Sequence, residues 1–469
     1  MKNYLVIIFL ISILFLGCNP LKNQKPPEIP DNEKNTFIPA HIRNEIIIWY
    51  KDLEAKKEHS ERIVANFQKL NPKMTITRES CSKCLDLTEK LTGAGLDALL
   101  EMVLDGHGDL IRSSDRKTSG ATGDTSVVVS LNFLTSVFDS DSSSMHKISG
   151  IDVKHFSGKE VPVAVVDSGI DQENFPLQFL FTDFGMDECY PNGKYGYGFV
   201  DPSGDITDST TSKHGTLVNY YILEQFLKEK VNIPRLLNVK ALNRNNSGSV
   251  FGLLCSLYYA KEKGAKIINT SMGFYDNDKY FDMTDGKNPI LFMMYKEHLL
   301  PNGIILVTAS GNKDVSQVPS ELVSQRDLTQ NRFYPAVLSE TDNGMPNSII
   351  TATTVNRSSN EPSQRQNYSS RHVDVGVVAD KEVGEWYSFY LPFTQIGDQN
   401  RPSVSGSSFA NAILTGKISA KFNPSNYLIV AKSPKSEWLD AILNPDIQSN
   451  STDLIPYIHK GKNFRRIDE

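Results

Sequence analysis

Residues 161–171 read Val161-Pro162-Val163-Ala164-Val165-Val166-Asp167-Ser168-Gly169-Ile170-Asp171. An uninterrupted apolar run runs straight into an acidic residue and a glycine. Without polar alternation, such a run is the pattern of a strand covered on both faces, as in a parallel sheet between helices. Similar runs recur at Val239–Leu242, at Lys266-Ile267-Ile268-Asn269 and at Gly303-Ile304-Ile305-Leu306-Val307. Between them, Val250, Phe251, Leu253, Leu254, Leu257 and Tyr258 fall on one helical face, and Gly264 suits the helix C-terminal cap. Short apolar strands alternating with helices predict an α/β fold: a doubly wound, mainly parallel sheet with helices on both faces. In such sheets, sites assemble beyond the carboxyl ends of the strands.

The chain of 469 residues is 39% hydrophobic and 22% charged, ordinary globular values that exclude a many-pass membrane protein or a fibre. A net charge of -6 argues against a nucleic-acid binder. Five cysteines are too few for a disulfide-built scaffold.

Four short motifs sit at strand ends or helix starts. They are Asp167-Ser168-Gly169, His214-Gly215-Thr216, Ser310-Gly311-Asn312, and Gly406-Ser407-Ser408-Phe409-Ala410. Each alone reads equally well as a turn or a cap. In the order Asp, His, Asn, Ser, with apolar strands before them, they resemble the subtilases, the subtilisin-like serine peptidases. The resemblance covers residues from about 150 to 430, and the Asp-His-Ser order is that of subtilisin. It implies a catalytic Asp167, His214 and Ser408, with Asn312 in the oxyanion hole. Ser271-Met272-Gly273 resembles the family's substrate-binding strand. The resemblance also implies a protein or peptide substrate and hydrolysis through an acyl-enzyme. No cofactor is required. Structural calcium is common in the family, but no ligand set is identified here. Asp201, Asp205 and Asp208 precede His214 and could serve as ligands, but a solvated acidic loop is the expected reading of them.

Departures from the family pattern follow both helix-start motifs. Leu217-Val218-Asn219-Tyr220 replaces the usual His-Val-Ala-Gly, and Phe409-Ala410-Asn411-Ala412 replaces Met-Ala-Ser-Pro. They motivate a second reading, a catalytically inactive lipoprotein of the same fold that binds peptides or proteins. No catalytic group is removed.

The first residues suggest an address. Lys2 precedes an apolar run from Tyr4 to Leu16 that is short for a membrane span, followed by Gly17-Cys18. Leu16-Gly17-Cys18 resembles a bacterial lipobox. It implies a signal peptide over 1–17, a lipid on Cys18, and a peptidase anchored at the cell envelope, periplasmic or surface-exposed. Residues 18–40 read as a Pro- and Asn-rich tether. Residues 41–112 carry a strand at Glu45–Trp49, a helix from Asp52 to Leu70 and a strand at Met74–Thr77, with a further helix expected from Leu85 to Leu104. In a subtilase this α+β unit would stand where a prodomain does. Residues 113–145 are expected to be a linker, 146–435 the peptidase domain and 436–469 a C-terminal extension. Cys81 and Cys84 form a lone C-x-x-C pair. A local disulfide is expected in an oxidising compartment, because zinc needs more ligands.

Overall fold

The computed structural model describes residues 41–82, 87–100, 126–137, 154, 156–183, 188–191, 193–200, 203–276, 289–312, 327–339, 347–357, 361–394, 401–423, 427–443 and 465–467. The predicted signal peptide, the tether and Cys18 lie outside these residues. So do Cys84, Asp201 and the predicted linker stretch 113–125.

The N-terminal part holds β1 (His41–Tyr50), α1 (Leu53–Leu70), β2 (Thr77–Ser80), β3 (Thr88–Thr92) and β4 (Val127–Ser136). Asp52 caps α1 by accepting from the Ala55 N–H at 2.8 Å. Ile63 and Phe67, four apart on the helix, are buried, as their spacing predicts. Two expectations fail here. Within the helix expected from Leu85 to Leu104, residues 96–100 are helical, but Thr88–Thr92 is a strand because it pairs antiparallel with both β1 and β2. Pairing across the sheet overrides a local helical pattern. The expected linker 113–145 contains β4, which lies between β1 and a later strand with most of its side chains buried. Its apolar residues supply core rather than a spacer.

The second part begins with β5 (Glu160–Asp167), β6 (Gly196–Gly198), α2 (His214–Glu229), β7 (Ile233–Lys240), β8 (Ser247–Ser249), α3 (Val250–Glu262) and β9 (Ile267–Thr270). It continues through β10 (Phe274–Asp276), β11 (Ile305–Ala309), β12 (Arg332–Tyr334), β13 (Ile349–Val355) and β14 (Val375–Val378). Next come β15 (Lys381–Val383), β16 (Trp386–Tyr390), β17 (Ser403–Ser405), α4 (Ser407–Lys421) and, last, β18 (Arg465–Ile467). Eight strands form one sheet in the order β18-β14-β13-β11-β9-β5-β7-β6, with parallel pairing throughout. This is the predicted doubly wound architecture. Along β5 the side chains alternate between two apolar cores. Val161, Val163 and Val165 pack with α2 and α4, while Ala164 and Val166 pack with α3. Both faces are dry, so the strand has no polar face to show in its sequence.

The described parts of the expected C-terminal extension, residues 436–443 and 465–467, belong to the domain itself. Trp438, Leu439 and Leu443 are buried in the core that holds α2 and α4, and β18 extends the sheet edge. The Lys435 ammonium, 1% exposed, pairs with Asp374 at 2.7 Å and donates to the carbonyls of Ser339 and Ile349.

The N-terminal strands join this body. β4 pairs with β8, extending an antiparallel sheet in the order β2-β3-β1-β4-β8. The Trp49 indole N–H donates to the Tyr258 hydroxyl at 2.8 Å, and both rings pack against His298. Burial, reinforced by the Lys261 charge, pushes the His298 imidazole down to about 4. Its folded value lies below its unfolded one, so the unfolded chain binds the extra proton first. Stability is then full above about 6.5 and is lost as pH falls towards about 4. His298→Gln should lose less of its melting temperature between pH 7 and pH 5 than the unaltered protein. An equal loss in both would contradict this assignment.

Candidate active site

Asp167 is the last residue of β5, at the carboxyl edge of the parallel sheet, and is 1% exposed. A buried carboxylate is costly unless its lone pairs are met. Its Oδ1 lies 2.6 Å from His214 Nδ1 and also accepts from the Ser168 N–H at 2.7 Å. With Nδ1–H facing a carboxylate, Nε2 is left as the acceptor end of a neutral ring.

His214 opens α2, directly after Lys213 in the left-handed region at φ 52. The close approach of α2 to β5 depends on Gly215. A Cβ there would meet the Gly169 carbonyl oxygen at 2.5 Å. The junction is further tied by Asp208, which is fully buried rather than part of a solvated acidic loop. Its carboxylate accepts from Ser168 Oγ at 3.1 Å, Thr210 Oγ1 at 2.6 Å and Thr216 Oγ1 at 2.8 Å. It also accepts the backbone N–H groups of Thr210 and Thr216. Ser168 Oγ in turn accepts from the Gly215 N–H. Asp208 therefore bridges the Asp167 strand end and the first turn of the His214 helix. There its negative charge also meets unbonded helix N–H groups.

Ser408 is the second residue of α4 and is buried, and its neighbour Phe409 packs against the imidazole. The rings of His214 and Phe409 lie 5.4 Å apart. Ser408 Oγ donates to the Ser271 carbonyl at 3.1 Å, and Ser271 Oγ donates to the Ser408 carbonyl at 3.1 Å. Asn312 follows β11. Its Oδ1 accepts from the Ser407 N–H at 2.9 Å, which fixes which end of the amide faces α4. Ser407 Oγ accepts from the Gly311 N–H at 3.1 Å. The four motifs are thus brought to one edge of the sheet.

Two departures from the expected pattern are absorbed locally. Asn411 Nδ2 donates to Asn269 Oδ1 at 2.9 Å and faces the Thr270 and Val307 carbonyls, pinning α4 across β9 and β11. Tyr220 stacks on Phe175 and donates to the Asn174 carbonyl at 2.9 Å. Asp208, Asn269 and Asn411 were missed as site-building residues. The one available signal was Asp208 shortly before the histidine, and a carboxylate there reads equally as a metal ligand. Among the described residues no group of His, Cys, Asp and Glu is gathered to hold a metal.

Of Ser271, Met272 and Gly273, the first touches Ser408 and the second is buried. Gly273 is already paired. Its N–H donates to the Ser136 carbonyl at 3.3 Å, and its carbonyl accepts from the Ser136 N–H at 2.9 Å. A side chain at 273 would meet the Tyr334 carbonyl oxygen at 2.2 Å, so this close approach requires glycine.

Comparison with known proteins adds to this geometry. A family model described as the subtilase family matches residues 158–423. Subtilisin-like protease 1 of Plasmodium vivax is 27% identical over 201 residues, covering 39% of this chain and 30% of that protein. A thermophilic serine proteinase of Bacillus sp. (strain AK1) is 32% identical over 127 residues, covering 26% of this chain and 27% of that one. The matches thus span less than a third of either relative's length. A crystal structure of the epidermin leader peptide processing serine protease from Staphylococcus aureus superposes with a TM-score of 0.52 at 12% identity, covering 90% of this chain and 97% of that one. At that identity the likeness is one of fold.

Asp208→Asn puts an amide N–H2 among five donors. It should destabilise the fold by about 1.5–3 kcal/mol for each charge-assisted bond lost, read from urea unfolding. A change below about 0.5 kcal/mol, the level of an ordinary surface substitution, would show that Asp208 does not hold the junction.

Proposed function

The chain belongs to the subtilase family, and from that premise we propose that it is a serine endopeptidase with Ser408 as its nucleophile. The observation that carries this is the buried 2.6 Å contact between Asp167 Oδ1 and His214 Nδ1, set against the first turn of the Ser408 helix. His214 takes the proton from Ser408 Oγ as the oxygen attacks the scissile carbonyl, and later delivers it to the leaving amine. Asp167 holds the imidazole tautomer and stabilises its charged form. The tetrahedral intermediate places its oxyanion near the start of α4. In this reading the Ser408 N–H and the Asn312 side-chain N–H2 donate to it. Reaction also requires Ser408 Oγ to turn from the Ser271 carbonyl towards His214. The substrates are proteins or peptides, laid along Ser271-Met272-Gly273 as an added strand.

Within this reading the N-terminal strands act as an inhibitory prodomain-like unit. Support comes from Ser136, whose backbone takes both hydrogen-bonding groups of Gly273 that a substrate strand would use. We also assign Cys18 as a lipid-bearing residue that places the enzyme at the cell envelope. Support for an oxidising compartment comes from the cysteines, since Cys81, Cys189 and Cys255 are all disulfide-bonded. The departures that motivated an inactive reading are accommodated by hydrogen bonds of Tyr220 and Asn411.

Two measurements check this. Ser408→Ala should abolish hydrolysis of an unstructured protein such as casein, and Asn312→Ala should lower kcat by about 10²–10³-fold. Hydrolysis that survives Ser408→Ala would exclude the assignment. Ser136→Pro removes the N–H that bonds Gly273 and should raise turnover of a short peptide severalfold. Unchanged turnover would show that this pairing does not obstruct substrate.

A further inference from the structure

We propose that residues 41–136 form a permanent, covalently retained subunit of the folded protein, which a cut in the chain between Ser136 and Glu160 does not release. Cys81 is bonded not to nearby Cys84 but to Cys255 of α3, a crosslink spanning 174 residues of sequence with Cα atoms 5.1 Å apart. The expected local bridge is therefore corrected, and the crosslink joins the N-terminal strands to the helix behind the catalytic sheet. Cys255 is 1% exposed, and Cys81 is half-buried.

The non-covalent contacts around the crosslink are those of one interior. Asn132 Oδ1 accepts from the Phe251 N–H at 3.1 Å, meeting a donor in the first turn of α3 that the helix itself cannot satisfy. The Trp49 indole is hydrogen-bonded to Tyr258, and the Phe133 ring stacks on Phe274 at 5.3 Å. Trp49, Leu131 and Phe133 share a single apolar core with Val250, Leu254 and Tyr258. Loss of the unit would expose the apolar face of α3 to water.

A partner held only by such contacts leaves at a finite rate and is diluted away. A disulfide makes re-docking intramolecular, at an effective concentration of about millimolar order. Two consequences follow. A cut frees only the end of β4 beside Gly273, while the rest of the unit stays as part of the enzyme. Whatever anchor the chain carries before His41 stays joined to the peptidase domain after the cut. Release requires a dithiol that delivers two electrons and two protons to the sulfur–sulfur bond. The products are the Cys81 and Cys255 thiols and an oxidised dithiol. The inference goes beyond the peptidase reading and stands apart from it, because the cut in the test is made by an added protease.

The experiment places a recognition sequence for a site-specific protease between Ser136 and Glu160 of the full chain. Cys189→Ser is included because Cys189 is itself disulfide-bonded. After complete cutting and thiol alkylation, denaturing electrophoresis without reductant should show one species near the mass of the uncut chain. Dithiothreitol should resolve it into two fragments. With Cys255→Ser added, two fragments should appear without reductant. Separation of the Cys189→Ser protein without reductant would overturn the proposal. Mass spectrometry of a non-reduced digest of the unaltered protein decides independently of how the variants fold. A peptide pair joined through Cys81 and Cys255 supports the proposal, and Cys81 found free or joined elsewhere overturns it.

Discussion

The buried hydrogen bond between Asp167 and His214 is the constraint on which the rest of the structure depends. A carboxylate at the dry end of β5 needs donors, and the imidazole N–H and the Ser168 N–H both meet its Oδ1, while Oδ2 has no partner among the described residues. That contact requires α2 to start against the strand end, which the absence of a side chain at Gly215 permits. Asp208 then holds strand end and helix start as one unit through hydroxyls on both. The sheet supplies rigidity because both faces of β5 are packed, so the carboxylate cannot relax without disturbing two cores.

α4 is the second half of the same device. It crosses the sheet with nearly every residue buried, so its polar groups must be paired internally. Asn411, Thr415 and Asn269 form that pairing beneath Ser408, and Ser407 links the helix start to Asn312 and Gly311. The position of Ser408 is fixed by a polar cluster rather than by apolar packing alone. Asn411 Nδ2 and Thr415 Oγ1 both donate to Asn269 Oδ1, which leaves these side chains little freedom.

The sheet strands and the four motifs were legible in the sequence because strands buried on both faces leave uninterrupted apolar runs. Those runs end where the chemistry begins, as at Val166-Asp167 and Val307-Thr308-Ala309. Other features were not legible because their causes are distant in sequence. Thr88–Thr92 is a strand only because β1 and β2 flank it, and β4 is a core strand only because β1 and β8 do. The Cys81–Cys255 bond has no local signature, while Cys81 and Cys84 advertise a false one. Asp208 carries no pattern that separates a buried brace from a surface turn. The pairing of Ser136 with Gly273 is likewise a fact of three-dimensional register. It makes the N-terminal strands a neighbour of the candidate site rather than an appendage.

The most direct measurement is covalent labelling of the purified protein with a fluorophosphonate, followed by tandem mass spectrometry to locate the adduct. An activated serine beside His214 predicts one phosphonylated residue, Ser408, with labelling abolished in His214→Ala. An unlabelled protein, or an adduct at any other serine, would contradict the account.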